Sequence, residues 1–499
     1  MQDSAVAALA ADLAAAPYTV EGLESAWGRT AADALGRDDP EPALAALAAL
    51  PPTAAGVLGR LFVLGDPVPE ADAASALPRL GLDGAAALGL LRVEGGRALP
   101  LVDVRPYAVA DESGVASWWI VSDQGEVALG GELPEEHVLG AGAASTTLAQ
   151  ILVPTGTGSV LDLGTGSGIQ ALMAARTASR VVATDVSGRA LRFAALNARL
   201  NGMRLDLREG SLYDPVAGER FDRVVTNPPF VITPRGVDGV PAYTYRDGGF
   251  AGDGLVEAVV RGAREHLAPG GIAQLLGNWE VRGDESAARD RVLGWADGLD
   301  AWVVQRDLLD PAQYAETWVR DGGAQPGSPR FRALVRAWLE DFAARGVTAV
   351  GAGYLTLRRP GAGEPTLRRF EHLDTPVGSG VGAAIAAGLA AHDRLVRLDD
   401  DALAGLTLRV APDVTEHRHY WPGDADPTVL ELRQGTGFAR TRRVDTVTAA
   451  LVGACDGDLP VGRLAAAVAD LLDADRDAVL ASALPEVREL LVDGFLVFG

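Results

Sequence analysis

The pattern of apolar and polar positions changes twice along the 499-residue chain. Up to residue 134 it predicts short amphipathic helices rich in Ala and Leu, then an alternation at Ser117–Val127 that is typical of a strand. From 135 to 359, short apolar strands alternate with helices, which predicts a mostly parallel sheet. A mixed segment and a helical block from Asp445 follow. We therefore expect an N-terminal accessory domain (1–134), a central α/β domain (135–359) and a C-terminal accessory domain (360–499).

The two flanking blocks share a weak internal similarity. Val57–Val93 and Val447–Phe498 both predict a helix, an acidic turn with proline, two further helices and a short hairpin, which is a winged-helix plan. Similar Ala- and Leu-rich composition is the alternative explanation. Leu451–Gly499 holds three Arg against nine Asp and Glu, so no basic recognition surface is predicted there. We interpret the flanks as modules for protein contact, substrate selection or dimerisation.

Composition narrows the classes of function. The chain has 44 basic residues, all Arg, against 67 acidic ones, and its net charge of −23 disfavours nucleic acid and anionic membranes as partners. A single cysteine, Cys455, excludes internal disulfides and cysteine-based zinc sites. His417 and His419 alternate on a predicted strand, for which an interface role is favoured over metal binding. From these residues we expect no metal site. With no basic signal-peptide region at the start, we also expect a cytoplasmic protein.

A glycine-rich turn follows the first strand of the central block. The apolar strand Ser159–Leu163 runs into Gly164–Gly168 (GTGSG), and a helix follows directly. Glycine lets the chain turn tightly and lets a ligand lie against main-chain N–H groups. A second strand, Arg180–Thr184, ends in Asp185, and an acid at this spacing can accept hydrogen bonds from both ribose hydroxyls. The spacing predicts a site for a cofactor that contains adenosine.

A second motif helps to choose the cofactor. The loop lacks the G-x-G-x-x-G spacing that holds a pyrophosphate, and a chain without lysine has no Walker lysine, so NAD and nucleoside triphosphates are disfavoured. The strand Arg223–Thr226 runs into Asn227-Pro228-Pro229-Phe230, where a fourth strand would end beside the first. Ligands of open α/β sheets bind in the crevice at this point. The two prolines keep the segment extended and stiff.

Together, the runs VLDLGTGSGI, VVATDVS, REGSLYD and FDRVVTNPPF resemble class I S-adenosylmethionine-dependent methyltransferases of the amino-group branch. That branch includes release-factor glutamine methyltransferases and the adenine-N6 and guanine-N2 methyltransferases of DNA and RNA. The resemblance spans roughly Val138–Arg359 and implies a Rossmann-like seven-stranded sheet with S-adenosylmethionine as cofactor. It also implies that the Asn227 side chain and the Pro228 carbonyl hold the target NH₂, while Pro229 stiffens the segment and Phe230 stacks on the planar group.

The same resemblance implies a set of cofactor contacts at four places in the chain: Asp162, Gly164, Thr165, Gly166, Gly168, Asp185, Ser211, Leu212 and Asn227. Ser211 stands where an aspartate commonly faces the adenine amino group, so we expect weaker cofactor binding. Behind the motif, Tyr243, Tyr245 and Arg246 belong to a Gly-rich aromatic loop that is predicted to shape the substrate pocket. The insertion Asp310–Arg345 is either a lid over the cleft or a pair of packing helices.

Three acceptors remain open. A protein or peptide, with the glutamine amide as a candidate, suits the acidic chain and is favoured. Adenine N6 or guanine N2 of rRNA, tRNA or DNA is possible, but the charge of −23 gives no help with phosphates. A small metabolite is the third acceptor. A scaffold that binds the cofactor without catalysis is disfavoured by the intact motif at Asn227.

Overall fold

A computed structural model describes residues 2–111, 114–129, 133–154, 156, 158–235 and 248–499. The chain divides into two compact units, the first comprising residues 1–148 and 156–365 and the second residues 149–155 and 366–499. Within the described residues, no helix has the length and apolar character that crossing a membrane requires.

The first unit begins with a helical region that leads into small antiparallel sheets. Its elements are α1 (Gln2–Ala15), α2 (Val20–Trp27), α3 (Arg29–Leu35), α4 (Glu41–Ala49), α5 (Ala54–Leu58), a π-helical turn (Gly59–Val63), β1 (Val68–Pro69), α6 (Glu70–Ala76), α7 (Gly81–Ala87), β2 (Leu91–Glu94), β3 (Arg97–Pro100), β4 (Asp103–Asp111), β5 (Gly114–Ser122) and α8 (Glu126–Leu129). The helices α5, α6 and α7 follow one another as predicted for Val57–Val93, and the hairpin of β2 and β3 follows them in a sheet of order β1–β3–β2.

The strand predicted at Ser117–Val127 extends further towards the C-terminus than the strand in the structure. The observed strand β5 ends at Ser122. The Asp123 carboxylate accepts the Val138 N–H at 2.9 Å and pairs with Arg189, which draws the chain away from the β4–β5 ladder. The pattern beyond Ser122 therefore belongs to the connector 123–125 and the start of α8, and not to the strand.

The rest of the first unit alternates strands and helices around one large sheet. Its elements are α9 (Ala143–Ile151), β6 (Ser159–Leu163), α10 (Ile169–Ala174), β7 (Arg180–Asp185), α11 (Gly188–Leu200), β8 (Asp206–Glu209), a 3₁₀ turn (Asp214–Val216), β9 (Phe221–Thr226), α12 (Gly254–His266), β10 (Leu267–Arg282), α13 (Glu285–Trp295), β11 (Asp300–Leu309), α14 (Pro311–Asp321), α15 (Pro329–Ala344) and β12 (Val347–Arg358).

Within this unit the strands of the sheet follow the order β11–β12–β10–β9–β6–β7–β8. The pairs β9–β10, β6–β9, β6–β7 and β7–β8 are parallel, whereas β12 is antiparallel to both β10 and β11. This confirms the Rossmann-like, mostly parallel sheet that the sequence predicts, and β12 is its antiparallel strand. The core strands are covered on both faces, and Leu161, Val182 and Val224 are all at most 1% exposed. Each such side chain stabilises the fold by roughly 1.5–3 kcal/mol.

The N-terminal region is joined to the large sheet through Asn197 of α11 and Asn201, the residue that caps the C-terminal end of this helix. Asn197 Oδ1 accepts the Val121 N–H at 2.8 Å, and its Nδ2 donates to the Val121 carbonyl at 2.9 Å. Asn201, one helical turn later, makes the same pair of bonds to Trp119, at 3.0 and 2.9 Å. The two side chains thus bond to the β5 backbone as a neighbouring strand would, and fix its register against α11.

The second unit contains two three-stranded sheets and a further helical bundle. Its remaining elements are β13 (Arg368–His372), α16 (Val381–Leu395), α17 (Asp400–Ala404), β14 (Thr407–Val410), β15 (Val414–His419), β16 (Val429–Gln434), β17 (Thr441–Val444), α18 (Thr446–Gly453), β18 (Asp456–Pro460), α19 (Val461–Leu471), α20 (Arg476–Asp493) and β19 (Leu496–Phe498). One sheet has the order β15–β16–β17 and the other β18–β14–β19.

The second winged-helix prediction is right in its helices and wrong in its hairpin. The helices α18, α19 and α20 follow one another as predicted for Val447–Phe498. The last strand, β19, pairs with β14, whose Leu408 lies opposite Phe498. Because β14 precedes the helices by some 35 residues, local pattern alone could not identify it as the partner.

Candidate active site

The glycine loop connects β6 to α10 and has the backbone conformation that its residues allow. Gly164, Gly166 and Gly168 have φ of +70°, +56° and +91°, a region that side-chain-bearing residues rarely adopt. A Cβ at Gly164 or Gly166 would meet no atom within 4 Å, whereas one at Gly168 would lie 3.1 Å from the Ala194 Cβ. The third glycine therefore permits close packing on α11, and the first two leave space beside the main chain for a ligand.

Asp162 holds this loop from beneath. Its Oδ2 accepts the Thr165 hydroxyl at 2.5 Å and the Ala171 N–H at 2.9 Å, so one oxygen ties the loop to the first turn of α10. Burial raises the pKa of Asp162 to about 7, against the lowering effect of these two donors. The side chain is 1% exposed, which makes it a support of the loop more than a surface for a ligand.

Asp185 ends the neighbouring strand β7 and faces the same loop. Its Oδ2 accepts the Gly166 N–H and its Oδ1 accepts the Ser187 N–H, both at 2.9 Å. Burial raises the pKa of Asp185, and the N–H donors of Ser187 and Gly166 oppose that shift. Each carboxylate oxygen keeps a further lone pair, so hydroxyl donors of a ligand can still bind there.

Ser211 and Leu212 follow β8 on the third loop. The Gly210 N–H donates to the Asp185 carbonyl at 3.0 Å, which brings this loop next to the end of β7. Ser211 is exposed, and Leu212 has a φ of +45°. Both residues line the same cleft as the glycine loop.

The Asn-Pro-Pro-Phe segment leaves the end of β9, directly beside β6. The Thr226 hydroxyl donates to the Leu163 carbonyl at 2.6 Å and so joins the last residues of the two strands. Asn227 comes next, and its Oδ1 is buried without a hydrogen-bond partner among the described residues. Pro228 is buried, while Pro229 and Phe230 are half-buried. A buried acceptor that lacks a donor costs about 1–3 kcal/mol, so a donor from a ligand would stabilise this site.

One cleft of about 1410 Å³ connects these parts. Its lining residues include the three loops, the motif and one face of the β4–β5 ribbon, as follows: Asp162, Gly164, Thr165, Gly166, Asp185, Ser211, Leu212, Asn227, Pro228, Pro229, Phe230, Asp103, Arg105, Tyr107, Ile120 and Ser122. Gly168 contacts α11 instead. Tyr243, Tyr245 and Arg246, the predicted substrate contacts, lie outside the described residues.

Sequence reasoning missed the asparagines of α11. Besides its bonds to β5, Asn197 donates through Nδ2 to the Ser167 carbonyl at 2.8 Å, so it connects the glycine loop to the N-terminal region. The available signal was the pair Asn197 and Asn201, four residues apart on a helix whose remaining inward positions are apolar. A buried asparagine in such a place must find hydrogen-bond partners, here the backbone of another element.

Three segments of the chain match models of protein families. Residues 140–240 match the model described as a methyltransferase small domain. This part of the chain thus matches a methyltransferase family, as the sequence resemblance implied. Residues 15–101 and 389–498 match two further models, each described only as a domain of unknown function.

Curated proteins similar to part of this chain include glutamine methyltransferases. The ribosomal protein uL3 glutamine methyltransferase of Bradyrhizobium diazoefficiens is 35% identical over 194 residues, which cover 36% of this chain and 59% of that protein. The release factor glutamine methyltransferase of Xylella fastidiosa is 40% identical over 162 residues, which cover 30% of this chain and 55% of that protein. The chain therefore spans less than two thirds of the length of these relatives.

Solved structures show a more distant likeness. A methyltransferase from Pyrococcus furiosus is 18% identical, with 43% of this chain and 80% of that chain covered and a TM-score of 0.26. A score this low supports no assignment of an acceptor.

Proposed function

We propose that this protein is an S-adenosylmethionine-dependent N-methyltransferase whose acceptor is the side-chain amide of a glutamine in a protein. The observation that carries the proposal is the buried, unpartnered Oδ1 of Asn227, which lines the same cleft as the glycine loop among the described residues. The 35% and 40% identity to glutamine methyltransferases in this part of the chain supports the choice of acceptor.

The residues of the cleft fit the cofactor. The open space beside Gly164 and Gly166 admits a ligand against main-chain atoms, and Asp185 offers carboxylate lone pairs to the hydroxyls of a ribose. Ser211 and Leu212 would lie against the adenine. When bound, the cofactor supplies a methyl group on a sulfonium, which is already activated for transfer to a nitrogen.

The chain's own contribution is to orient the acceptor nitrogen and exclude water. Asn227 Oδ1 and the Pro228 carbonyl would accept hydrogen bonds from the two N–H groups of the target NH₂. These two bonds would direct the nitrogen lone pair at the methyl group. Phe230 would lie against the planar amide. Because the Asn227 oxygen is already buried and unpaired among the described residues, it needs little reorganisation to bind a donor.

In this proposal the N-terminal region contributes to the choice of acceptor. One face of the β4–β5 ribbon lines the cleft, with Tyr107 and Ile120 in its apolar part and Asp103 and Arg105 paired at 2.9 Å in its polar part. Residues that flank the target glutamine in the acceptor protein would contact this face of the ribbon. A protein acceptor also agrees with the net charge of −23, which disfavours phosphate backbones.

Two variants of one residue test the proposal. Asn227→Ala removes the acceptor oxygen, so we expect methyl transfer to fall by on the order of 10²–10³-fold while the affinity for S-adenosylmethionine, measured by calorimetry, changes little. Asn227→Asp keeps an oxygen at the same place and should retain much more of the activity.

The acceptor is identified with radiolabelled S-adenosylmethionine and extract proteins, treated afterwards with nuclease or protease. We expect the label to resist nuclease, to be lost with protease, and to be located on glutamine by mass spectrometry. Label that is lost with nuclease, or that remains with small molecules, would overturn the protein acceptor. Calorimetry that shows no cofactor binding to the wild type would overturn the whole proposal.

A further inference from the structure

The insertion between β11 and β12 packs directly on the segment that follows Phe230. Its two helices, α14 and α15, share one apolar cluster with Val231 and Ile232. The buried members from the insertion and its flanks are Tyr314, Ala315, Val319, Ala324, Trp338, Phe342, Val347 and Val350. The helices therefore form part of the structure that surrounds the Asn-Pro-Pro-Phe motif, although they lie some 80 to 115 residues further along the chain.

A single hydroxyl group joins three elements beneath the motif. The Tyr314 Oη accepts the Ile232 main-chain N–H at 3.0 Å and the Asn278 Nδ2–H at 2.7 Å. All three residues are at most 2% exposed. The hydroxyl thus fixes the chain just after Phe230 to β10 through Asn278 and to α14 through its own helix. A buried N–H that loses such an acceptor is costly, so this junction restrains the position of the motif.

Trp318, one turn further along α14, reaches the cleft itself. Its ring meets the Phe230 ring edge to face, with centroids 6.3 Å apart and planes at 71°, and both rings line the cleft. Tyr314 supports Trp318 from behind at 6.0 Å between centroids. Edge-to-face pairs are a favourable arrangement of aromatic rings, so Trp318 holds Phe230 in one orientation and extends the aromatic wall beside it.

The C-terminal end of the insertion is also held. Arg345 pairs with Asp341 one helical turn before it and with the buried Glu280 of β10. The Glu280 N–H in turn donates to the buried Asp253 carboxylate at 2.8 Å. A helix pair anchored in this way is a rigid part of the site, unlike a connector that could move independently of the sheet.

From these contacts we propose that the insertion is part of the acceptor site: Tyr314 is a positioning residue for the Asn-Pro-Pro-Phe segment, and Trp318 completes the aromatic wall on which a planar amide lies. This inference rests on the proposed function. The inference favours a role of Asp310–Arg345 at the cleft over a role in packing alone. Helices that only pack would not need a hydroxyl that bonds to the backbone just after the motif.

The hydroxyl is tested without any acceptor by hydrogen exchange of the full-length protein. Tyr314→Phe keeps the ring and removes one oxygen, so amides in the segment 227–235 should exchange at least about tenfold faster than in the wild type. The matched control is Phe342→Leu, which disturbs the same apolar cluster but leaves the hydroxyl in place. Unchanged exchange in Tyr314→Phe, or equal acceleration in the control, would overturn the positioning role.

Kinetics test the consequence for the acceptor with the probe acetyl-Ala-Ala-Gln-Ala-Ala-amide and radiolabelled cofactor. We expect Tyr314→Phe to lower kcat by about ten- to a hundredfold with unchanged cofactor affinity, since a displaced acceptor is poorly aligned. Trp318→Ala should raise the KM for the peptide, and Trp318→Phe should restore most of it.

The two proposals fail in different ways. If the wild type binds the cofactor but methylates neither this peptide nor proteins of an extract, the proposed function is wrong, and the acceptor role of Trp318 falls with it. If the wild type methylates and the Trp318 variants keep the wild-type KM, only the inference about the insertion is overturned.

Discussion

The two halves of the cleft are built in different ways. On the cofactor side, the two carboxylates bond to residues at most 19 positions away, Asp162 to Thr165 and Ala171, and Asp185 to Gly166 and Ser187. Asn197 adds a contact over a longer distance in sequence. On the acceptor side, Ile232 depends on Tyr314, which is 82 residues away. A cofactor common to many proteins can be held by a compact motif, whereas a particular acceptor needs walls from distant parts of the chain. The cofactor half should therefore be altered by local substitutions that leave the acceptor half intact.

The largest effect is expected for Asn197→Ala, because this side chain serves both the glycine loop and β5. The substitution leaves the Val121 N–H and the Val121 and Ser167 carbonyls without their partner. We expect a loss of about 2–4 kcal/mol in the free energy of unfolding and about tenfold weaker cofactor binding. Denaturant unfolding and calorimetry measure the two quantities.

Asn201→Ala is the matched control, since Asn201 bonds to β5 in the same way but, among the described residues, does not hydrogen-bond to the glycine loop. It should lower stability without a comparable change in cofactor affinity. Equal losses of affinity in both variants would mean that the N-terminal region influences the loop as a whole and not through Asn197.

A substitution at Asp185 tests directly whether the cofactor half of the cleft can be altered without the acceptor half. Asp185→Ala removes the carboxylate beside Gly166, so cofactor affinity should fall about ten- to a hundredfold, the value of a hydrogen bond to a charged group. The KM for the glutamine peptide, measured at saturating cofactor, should stay near the wild-type value. Asp206→Ala removes an exposed carboxylate of β8 that pairs with Arg208 on the same strand; it is the control and should change neither quantity. A large rise in peptide KM would contradict the division of the cleft.

The smallest effect is a pH dependence of stability that originates at Asp162. Burial raises the pKa of this carboxyl from 3.8 to about 7, so the folded state favours its protonated form. The corresponding stabilisation is complete below about pH 4 and is lost as the pH rises through about 7. The Tm of the wild type should therefore fall between pH 5 and pH 8 relative to that of Asp162→Asn. Parallel Tm profiles would show that Asp162 does not titrate in this range.

Asparagine is the appropriate replacement at this position. Both donors, the Thr165 hydroxyl and the Ala171 N–H, bind the same oxygen of Asp162, so the single carbonyl oxygen of an amide can keep both bonds. The comparison of the two proteins then isolates the charge, because every other titrating group is common to both.

Much of the cofactor half could be predicted from the sequence, and the reason is physical. Glycines at 164, 166 and 168 supply left-handed conformations, and the strand pattern fixes which loops meet at the edge of the sheet. The parallel pairing of β6 with β9, which brings Asn227 next to that loop, followed from the alternation of strands and helices. These signals are local or periodic, so one sequence suffices to detect them.

The remaining features depend on contacts that no local pattern encodes. The aromatic residues of the insertion were visible, but nothing near Tyr314 in sequence indicates that its hydroxyl bonds to Ile232. The pairing of β14 with β19 likewise joins strands separated by three helices. In both cases the partner is set by how larger parts pack, which a single sequence does not specify.

The asparagine pair of α11 has a consequence for protein engineering. Asn197 and Asn201 hydrogen-bond to main-chain atoms of β5, so these bonds do not depend on which side chains the strand carries. Arg105, a cleft-facing residue of the ribbon whose side chain is 56% exposed, could be varied in a library while these bonds are kept, whereas Ile120 must stay apolar because it packs in a buried cluster with Leu172 and Ala198. The bonds that attach the ribbon are thus separate from a position that faces the cleft, and that position is a suitable place to alter specificity.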